Sequence, residues 1–350
     1  MTLASLVEER RIVICTGTGG VGKTTTAAAV AIEAARRGRR AVVVTIDPAK
    51  RLADALGLGA LGNEPALIAG DWPGELYALQ LDTKSTFDGL VARYAPSEEQ
   101  AERILANRFY RNLSGALSGT QEYMAGEKLY ELHDGADFDL VVVDTPPTRH
   151  ALDFLDAPRR LTAFLDHRLY RALVAPTRVY LRALNMAAQT FLRTVGRVVG
   201  AEALEDGLAF FAAFEGMEQG FRQRAARVQA LLTDPATAYV LVASPRSDTV
   251  AEAAYFADRL AASAVPVAAL VVNRVHPRFG DGPVPARTSA LHANLADFRT
   301  MADGEASHLD ALAAKVAPAP VVRVPFLAHD VHDLATLAEV ASHLFSDSGH

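Results

Sequence analysis

The chain has 350 residues, half of them apolar, which is enough for one large α/β domain with insertions or for two smaller domains. The formal net charge is −6 and the basic residues are spread thinly, so the charge pattern predicts no nucleic-acid partner. The single cysteine, Cys15, lies in an apolar run and is expected to be a buried strand residue, because one thiol forms neither a disulfide nor a multi-cysteine metal site.

The N-terminal segment does not resemble a secretory signal. Acidic residues, Glu8 and Glu9, come before any apolar stretch of sufficient length. The longest apolar run, residues 264–272, is about half of what is needed to cross a bilayer. We therefore expect a soluble, cytoplasmic protein.

Short β-branched runs alternate with helical patterns along the chain. This alternation is typical of a parallel sheet covered by helices on both faces, and fully apolar runs such as 141–143 predict strands buried on both sides. The predicted strands are 11–15, 41–45, 76–81, 140–143, 238–243, 267–272 and 321–324. The predicted fold class is α/β, a doubly wound and mostly parallel sheet with helical insertions that form a subdomain.

Two long stretches contain no convincing strand and are predicted to form one helical subdomain. They are residues 83–135 and 158–235, with helix breaks expected near Pro96, Gly126, Pro176 and Gly200. A third stretch, 278–319, begins with a turn-rich segment and is predicted as a separate helical insertion. The predicted sheet domain consists of residues 1–82, 136–157, 236–277 and 320–346.

A glycine-rich turn lies between the first predicted strand and an alanine-rich helix. Residues 17–24 read Gly-Thr-Gly-Gly-Val-Gly-Lys-Thr, the P-loop pattern, in which glycines let backbone N–H groups turn towards a phosphate. Lys23 is expected to reach the β and γ phosphates, and the Thr24 hydroxyl to ligate magnesium. The alternative is an ordinary glycine-rich turn with an exposed lysine. The predicted nucleotide-binding residues of this loop are Gly17, Thr18, Gly19, Gly20, Val21, Gly22, Lys23, Thr24 and Thr25.

Two aspartates follow predicted strands at the same edge of the sheet. Asp144 ends the fourth predicted strand, where a carboxylate can hold a magnesium-bound water; the alternative is a helix N-cap. Asp47 follows the second strand, where a carboxylate can orient the water that attacks a phosphate; a simple cap is again the alternative.

These motifs, in this order, resemble the ArsA-type ATPases, which include arsenite-pump ATPases and ATPases that target tail-anchored membrane proteins. Residues 47–54 are similar to the family's switch I, with Asp47 as its catalytic aspartate, and residues 144–150 to its switch II, where Arg149 replaces a glycine. The resemblance further implies that Asn273, after the strand 267–272, recognises adenine together with Pro325 and Phe326.

The resemblance implies a dimeric P-loop ATPase that uses ATP and magnesium. Thr18 stands where the family's deviant Walker A loop carries a lysine that reaches the partner's phosphates, so we expect either a slow ATPase or a subunit whose missing lysine comes from a different chain. The expected partner is therefore a second copy of this chain, in a homodimer, or a lysine-bearing paralogous ATPase, in a heterodimer. With one cysteine, the chain is expected to bind neither zinc nor an iron–sulfur cluster.

The client and the biochemical role stay open at this point. Apolar residues recur at three- and four-residue spacing within 158–235, as in a subdomain core or in a groove for a transmembrane helix of a membrane-protein client. The leading hypothesis is an ATP-driven molecular switch. The alternatives are a nucleotide-binding regulatory subunit with little turnover and an anion- or metalloid-efflux ATPase subunit.

Overall fold

The chain divides into two compact units in the computed structural model. The structure describes residues 2–113, 120–135, 137–146, 153–167, 201–280, 282–283 and 285–346. The first unit comprises Met1–Leu81, Glu131–Leu152 and Thr233–His350, and the second comprises Asp82–Tyr130 and Asp153–Leu232.

The first unit is built around an eight-stranded sheet, in the order β3-β4-β2-β5-β1-β6-β7-β8. All neighbouring strands are parallel except β3 and β4. The strands are β1 (Ile12–Thr16), β2 (Arg40–Thr45), β3 (Ala66–Ile68), β4 (Glu75–Gln80), β5 (Leu140–Asp144), β6 (Thr237–Ala243), β7 (Val267–Val275) and β8 (Val321–Pro325). The predicted fold class and all seven predicted strands are confirmed, and β3 was not predicted.

Helices account for most of the remaining described residues. They are α1 (Leu3–Glu9), α2 (Lys23–Arg36), α3 (Arg51–Ala55), α4 (Thr83–Tyr94), α5 (Glu98–Ala106), α6 (Arg108–Leu113), α7 (Thr120–Gly135), α8 (Asp153–Asp166), α9 (Ala201–Ala213), α10 (Glu218–Leu232), α11 (Ser247–Ala262), α12 (Ala290–Val316) and α13 (Leu334–Phe345). Judged on length and hydropathy together, no helix within the described ranges meets the requirement for spanning a bilayer.

Helix α2 packs closely on the centre of the sheet because its buried face consists mainly of alanine. It contacts β1, β2 and β5 on one side and α13 on the other, and Ala27, Ala28 and Ala31 are fully buried. Small side chains let the helix backbone approach the valine-rich strands closely. The helix therefore fixes the position of the loop that precedes it.

The described residues of the second unit form helices joined by short loops, without a strand among them, and aromatic side chains form much of its core. Rings of Phe210 and Phe214 lie 4.7 Å apart, and Phe214 stacks on Phe221 at 5.9 Å. Leu165, also part of the predicted apolar stripe, is buried in the same core. For Leu165, Phe210 and Phe214 the core interpretation is correct, whereas Phe164 of the same stripe is about half exposed. The stripe residues between 169 and 199 lie outside the described residues.

A buried ion pair joins two helices of this unit. The Arg224 Nε of α10 donates to Glu127 Oε2 of α7 at 2.6 Å, and both side chains are almost fully buried. The Tyr123 hydroxyl donates to the other carboxylate oxygen at 2.5 Å. Breaking such a pair leaves a buried charge without its partner, so the pair fixes how these two helices pack.

Two predicted helix breaks have opposite outcomes. The break near Pro96 is correct, because α4 ends at Tyr94 and α5 begins at Glu98. The break near Gly126 is wrong: Gly126 lies inside α7, where the absence of a side chain lets Val228 approach. The breaks at Pro176 and Gly200 lie outside the described residues.

The tight contact at Gly126 predicts a pair of opposite stability changes. A Cβ at Gly126 would lie 2.7 Å from Val228 Cγ1, whereas one at Gly89, inside α4, would meet nothing within 4 Å. Gly89→Ala is expected to stabilise by about 0.5–1 kcal/mol through helix propensity, and Gly126→Ala to destabilise by about 1 kcal/mol through overpacking against a stiff side chain. Urea unfolding followed by circular dichroism measures both, and equal stabilisation would contradict the contact.

Candidate nucleotide-binding site

The loop between β1 and α2 lies at the carboxyl edge of the sheet and requires glycine at two positions of close approach. Gly22 is the N-cap of α2 and has φ +95°, and a Cβ on it would lie 2.1 Å from Asn273 Nδ2. A Cβ on Gly17 would lie 2.1 Å from the Val242 carbonyl oxygen. Neither position accommodates a side chain without displacing its neighbour, so the glycines set the course of the loop.

Lys23 is the first residue of α2 and is nearly fully buried. Its Nζ donates to the carbonyl oxygen of Thr18 at 2.8 Å, across the loop. Burial lowers the pKa of this ammonium, and the nearby carboxylates of Asp144 and Asp47 oppose that shift. The alternative of an exposed lysine in an ordinary turn is therefore wrong. A buried cation at the N-terminus of a helix suits a phosphate.

Asp144 joins the ends of two strands to the start of α2. Its Oδ2 accepts hydrogen bonds from the Thr24 hydroxyl at 2.8 Å and from the Thr45 hydroxyl at 2.9 Å. Its Oδ1 is buried without a hydrogen-bond partner among the described residues. Burial raises the pKa of this carboxyl to about 6, against the two hydroxyl hydrogen bonds, which lower it.

This arrangement fits a hard divalent cation. Magnesium prefers oxygen ligands, and it often keeps several waters that carboxylates hold in turn. The Thr24 hydroxyl and the Asp144 carboxylate are such groups in direct contact, and the unpartnered Oδ1 leaves an acceptor for a water. The residues predicted to hold magnesium are thus brought together.

Asp47 is buried just beyond the end of β2. Its Oδ1 accepts from the Ala49 backbone N–H at 3.0 Å, and its Oδ2 lies 3.4 Å from a guanidinium nitrogen of Arg51. The first contact is a local turn, whereas the alternative prediction of a simple helix cap is wrong for α3, because Lys50 and not Asp47 is its N-cap. The carboxylate also lines the cavity in front of the glycine-rich loop, so both roles are compatible.

A cavity of about 550 Å³ contains most of these side chains. It is lined by Gly19, Gly20, Gly22, Lys23, Thr24, Thr25, Asp47, Arg51, Asp54, Ala55, Thr145, Arg274 and Val331. The predicted binding residues outside this lining are Gly17, Thr18, Val21, Asn273, Pro325 and Phe326. Three lining residues, Ala55, Arg274 and Val331, lie outside every predicted motif. Ala55 directly follows the predicted switch I and Arg274 directly follows Asn273, whereas no sequence signal indicated Val331.

Asn273 was predicted to follow its strand, but it lies within the strand, because β7 continues to Val275. Its Nδ2 donates to the Val21 carbonyl oxygen at 2.9 Å, and its Oδ1 accepts from the Arg274 N–H at 3.0 Å. Pro325 ends β8, and the half-exposed Phe326 stacks on the ring of His276 at 5.3 Å. The three residues predicted to contact adenine thus lie in or directly after the last residues of two neighbouring strands.

The described part of switch II is anchored to the central strand. The Thr145 hydroxyl donates to the Cys15 carbonyl oxygen at 2.8 Å, whereas residues 147–150, with Arg149, lie outside the described residues. Cys15 is fully buried, as predicted, and burial raises the pKa of its thiol. Within the described ranges no group of three or more His, Cys, Asp or Glu could hold a metal. The predictions about zinc and iron–sulfur clusters remain predictions.

Comparison with known proteins places the chain in one family over nearly its whole length. The sequence profile of the anion-transporting ATPase family (ArsA_ATPase) matches residues 10–346. The chain is similar to ATPase GET3 of Malassezia globosa, with 31% identity over 224 residues, which are 62% of this chain and 60% of that protein. ATPase get3 of Schizosaccharomyces japonicus and of Neurospora crassa are each 31% identical over 159 residues, which are 45% of this chain and 47% and 46% of theirs. The matched stretches span less than two thirds of these relatives.

The raised pKa of Asp144 predicts that its charge destabilises the ligand-free chain. Since the folded pKa of about 6 exceeds the ordinary value of 3.8, the penalty is present above pH 6 and fades as the pH falls towards 4. Asp144→Asn is expected to raise the free energy of unfolding by about 2 kcal/mol at pH 7.5 and by less at pH 5. Denaturant unfolding without magnesium measures this, with exposed Asp71→Asn as the control. A variant less stable than the unsubstituted chain at pH 7.5 would contradict the interpretation.

Proposed function

This chain belongs to the anion-transporting ATPase family, and on that premise we propose that it is a dimeric molecular switch that binds ATP with magnesium and hydrolyses it to ADP and phosphate. One observation carries the proposal. Lys23, Thr24 and Asp47 line a single cavity, and Asp144 bonds directly to Thr24 behind it. These are the groups that phosphoryl transfer to water needs at one place.

The glycine-rich loop binds the phosphates in this proposal. Backbone N–H groups of residues 19–24 and the N-terminus of α2 supply partial positive charge, and Lys23 exchanges its contact with the Thr18 carbonyl for a charge-assisted one with a phosphate oxygen. The Thr24 hydroxyl and, through water, Asp144 hold the magnesium ion. When bound, the metal supplies neutralisation of charge on the β and γ phosphates.

Asp47 orients the attacking water. Its carboxylate is fixed by the Ala49 N–H and by Arg51, so one geometry is held before substrate arrives. The water's oxygen attacks the γ phosphorus and the bond from that phosphorus to the β–γ bridging oxygen breaks. ADP leaves with that electron pair, and the phosphate product keeps the two protons of the water. Asn273, Pro325 and Phe326 are proposed to contact adenine.

The switch action follows from the position of Asp47. It lies just before the short helix α3, so the segment that senses the γ phosphate is also the start of a structural element. We propose that loss of phosphate releases this segment and reopens a dimer. The helical segments, with the predicted boundaries 83–135 and 158–235, would respond to that change, and the family resemblance suggests a membrane-protein client.

The threonine at position 18 favours a heterodimer with a chain whose glycine-rich loop carries the lysine. A threonine carries no charge, so the cross-dimer contact that the family's lysine makes is missing from a homodimer of this chain. A heterodimer with a lysine-bearing paralogue would restore it at the site where this chain binds ATP. The homodimer remains the alternative, with slow turnover.

Two other functions are weaker. A regulatory subunit with little turnover is favoured by Thr18 but opposed by the intact set of Lys23, Thr24, Asp47 and Asp144. A metalloid-efflux ATPase is opposed by Cys15, because a buried thiol with a raised pKa is a poor metalloid ligand.

Asp47→Asn separates the switch from the regulatory subunit. The amide keeps the size of the side chain but orients water poorly, so turnover is expected to fall by about a hundredfold or more while ATP affinity changes little. Phosphate release and calorimetric titration with Mg·ATP measure the two quantities, and Asp71→Asn serves as the exposed control. If the unsubstituted chain and the variant had equal turnover, with or without a paralogue, the regulatory function would replace the proposal.

Thr18→Lys tests whether the missing positive charge at this position limits turnover. Installing the family's lysine is expected to raise the turnover of the isolated chain about tenfold or more, because each protomer then supplies a charge to the other's phosphates. Thr18→Ser, which adds no charge, is the matched control. Fast turnover of the isolated, unsubstituted chain, not increased by a lysine-bearing paralogue, would remove the need for a heterodimer.

A further inference from the structure

Two consecutive side chains of β7 turn towards the same loop. Asn273 donates to the Val21 carbonyl oxygen at 2.9 Å, and an Arg274 guanidinium nitrogen donates to the Gly20 carbonyl oxygen at 3.0 Å. In a regular strand, successive side chains point to opposite faces of the sheet. A local irregularity must therefore bring both to one place.

The irregularity is a bulge at the end of the strand. The register between β7 and β8 shifts between Val272 and Val275, and Arg274 has φ +64°. Few residues other than glycine adopt this left-handed conformation, and bulges next to functional sites commonly redirect a side chain. The bulge thus directs an arginine to the loop at the cost of backbone strain, which is frequent at ligand sites.

The surroundings of Arg274 differ from those of the other arginine in the cavity. Arg51 lies beside the carboxylate of Asp47, at 3.4 Å. Arg274 is exposed and lines the same cavity, and its guanidinium donates to a neutral carbonyl oxygen. No carboxylate of the described residues lies within ion-pair distance of it. Arginine presents a planar fork of donors that matches phosphate oxygens, and such a contact is stronger than one to a carbonyl.

We propose that Arg274 contacts the terminal phosphates and supplies, from within the same chain, a second cation beside Lys23. The assignment rests on the proposed function, since it needs a nucleoside triphosphate in the cavity. It gives the loop a positive charge that Thr18 does not provide. On binding, the guanidinium exchanges the Gly20 carbonyl for anionic oxygens and stabilises the charge that develops during phosphoryl transfer.

Two other roles are consistent with the position of Arg274. It could clamp the loop through Gly20 without contacting substrate, or it could contact the base, because it follows Asn273. A clamp needs only a hydrogen-bond donor, whereas a phosphate contact needs the positive charge. A base contact affects every adenine nucleotide alike, whereas a contact with the terminal phosphate affects ATP most.

The test compares Arg274→Gln and Arg274→Lys in the full-length chain. Glutamine keeps a donor for the Gly20 carbonyl but carries no charge, and lysine keeps the charge without the fork. The control is Arg36→Ala, which removes one exposed positive charge at the opposite end of α2. Calorimetry gives the affinities for Mg·ATP, Mg·ADP and AMP, phosphate release gives turnover, and thermal melting verifies folding.

We expect Arg274→Gln to lower the affinity for Mg·ATP about tenfold or more, because the contact is with the terminal phosphates. The affinity for Mg·ADP should fall less, and the affinity for AMP should change little. The turnover of Arg274→Gln should fall by about a hundredfold. The turnover of Arg274→Lys should lie between that of Arg274→Gln and that of the unsubstituted chain. Affinities and turnover unchanged in a folded Arg274→Gln variant would overturn the assignment and leave a clamp. An equal loss for all three nucleotides would overturn it in favour of a base contact. Failure of the unsubstituted chain to bind Mg·ATP would instead overturn the proposed function on which the assignment rests.

Discussion

Asp144 connects the three elements on which the site depends. It ends β5, and its register partner on β2 is Thr45, whose hydroxyl donates to it. The hydroxyl of Thr24, in the first turn of α2, donates to the same carboxylate oxygen. One carboxylate oxygen therefore fixes the relative positions of two strand ends and a helix start. The contact is available only because β5 lies between β1 and β2, so the order of strands in the sheet is itself a requirement of the site.

Burial removes water from both the Asp144 carboxylate and the Lys23 ammonium, and this shifts their two pKa values in opposite directions. Desolvation raises the pKa of Asp144 and lowers that of Lys23, and their mutual attraction only partly offsets it. Each charge thus gains more from a ligand than an exposed charge would, because a phosphate or a metal replaces lost hydration. The buried charges lower the stability of the ligand-free chain, and a bound phosphate or metal would offset that loss, as is common at functional sites.

The sequence predicted those parts of the fold that depend on local pattern. The valine-rich strands and the loop at residues 17–24 follow from hydrophobic runs and glycine spacing, and their order indicated that Lys23, Thr24, Asp47 and Asp144 share one edge. Strand β3 was missed because it has three residues, largely exposed, and is defined by antiparallel pairing with β4. Gly126 was misread as a break because its role, room for Val228, depends on a helix about a hundred residues away in sequence.

The bulge in β7 was invisible in the sequence for a related reason, since Asn-Arg after a valine run has no pattern that distinguishes a strand end from a redirected strand. Its consequence bears on what the proposed dimerisation would control. A lysine supplied across a dimer makes the charge of the site depend on closure, whereas an arginine supplied from β7 completes that charge within one protomer. With Arg274 in that role, the positive charge around the phosphates would be present before the partner arrives. A dimer of this chain would then regulate hydrolysis through the position of Asp47 and of the segment 47–54 that it begins.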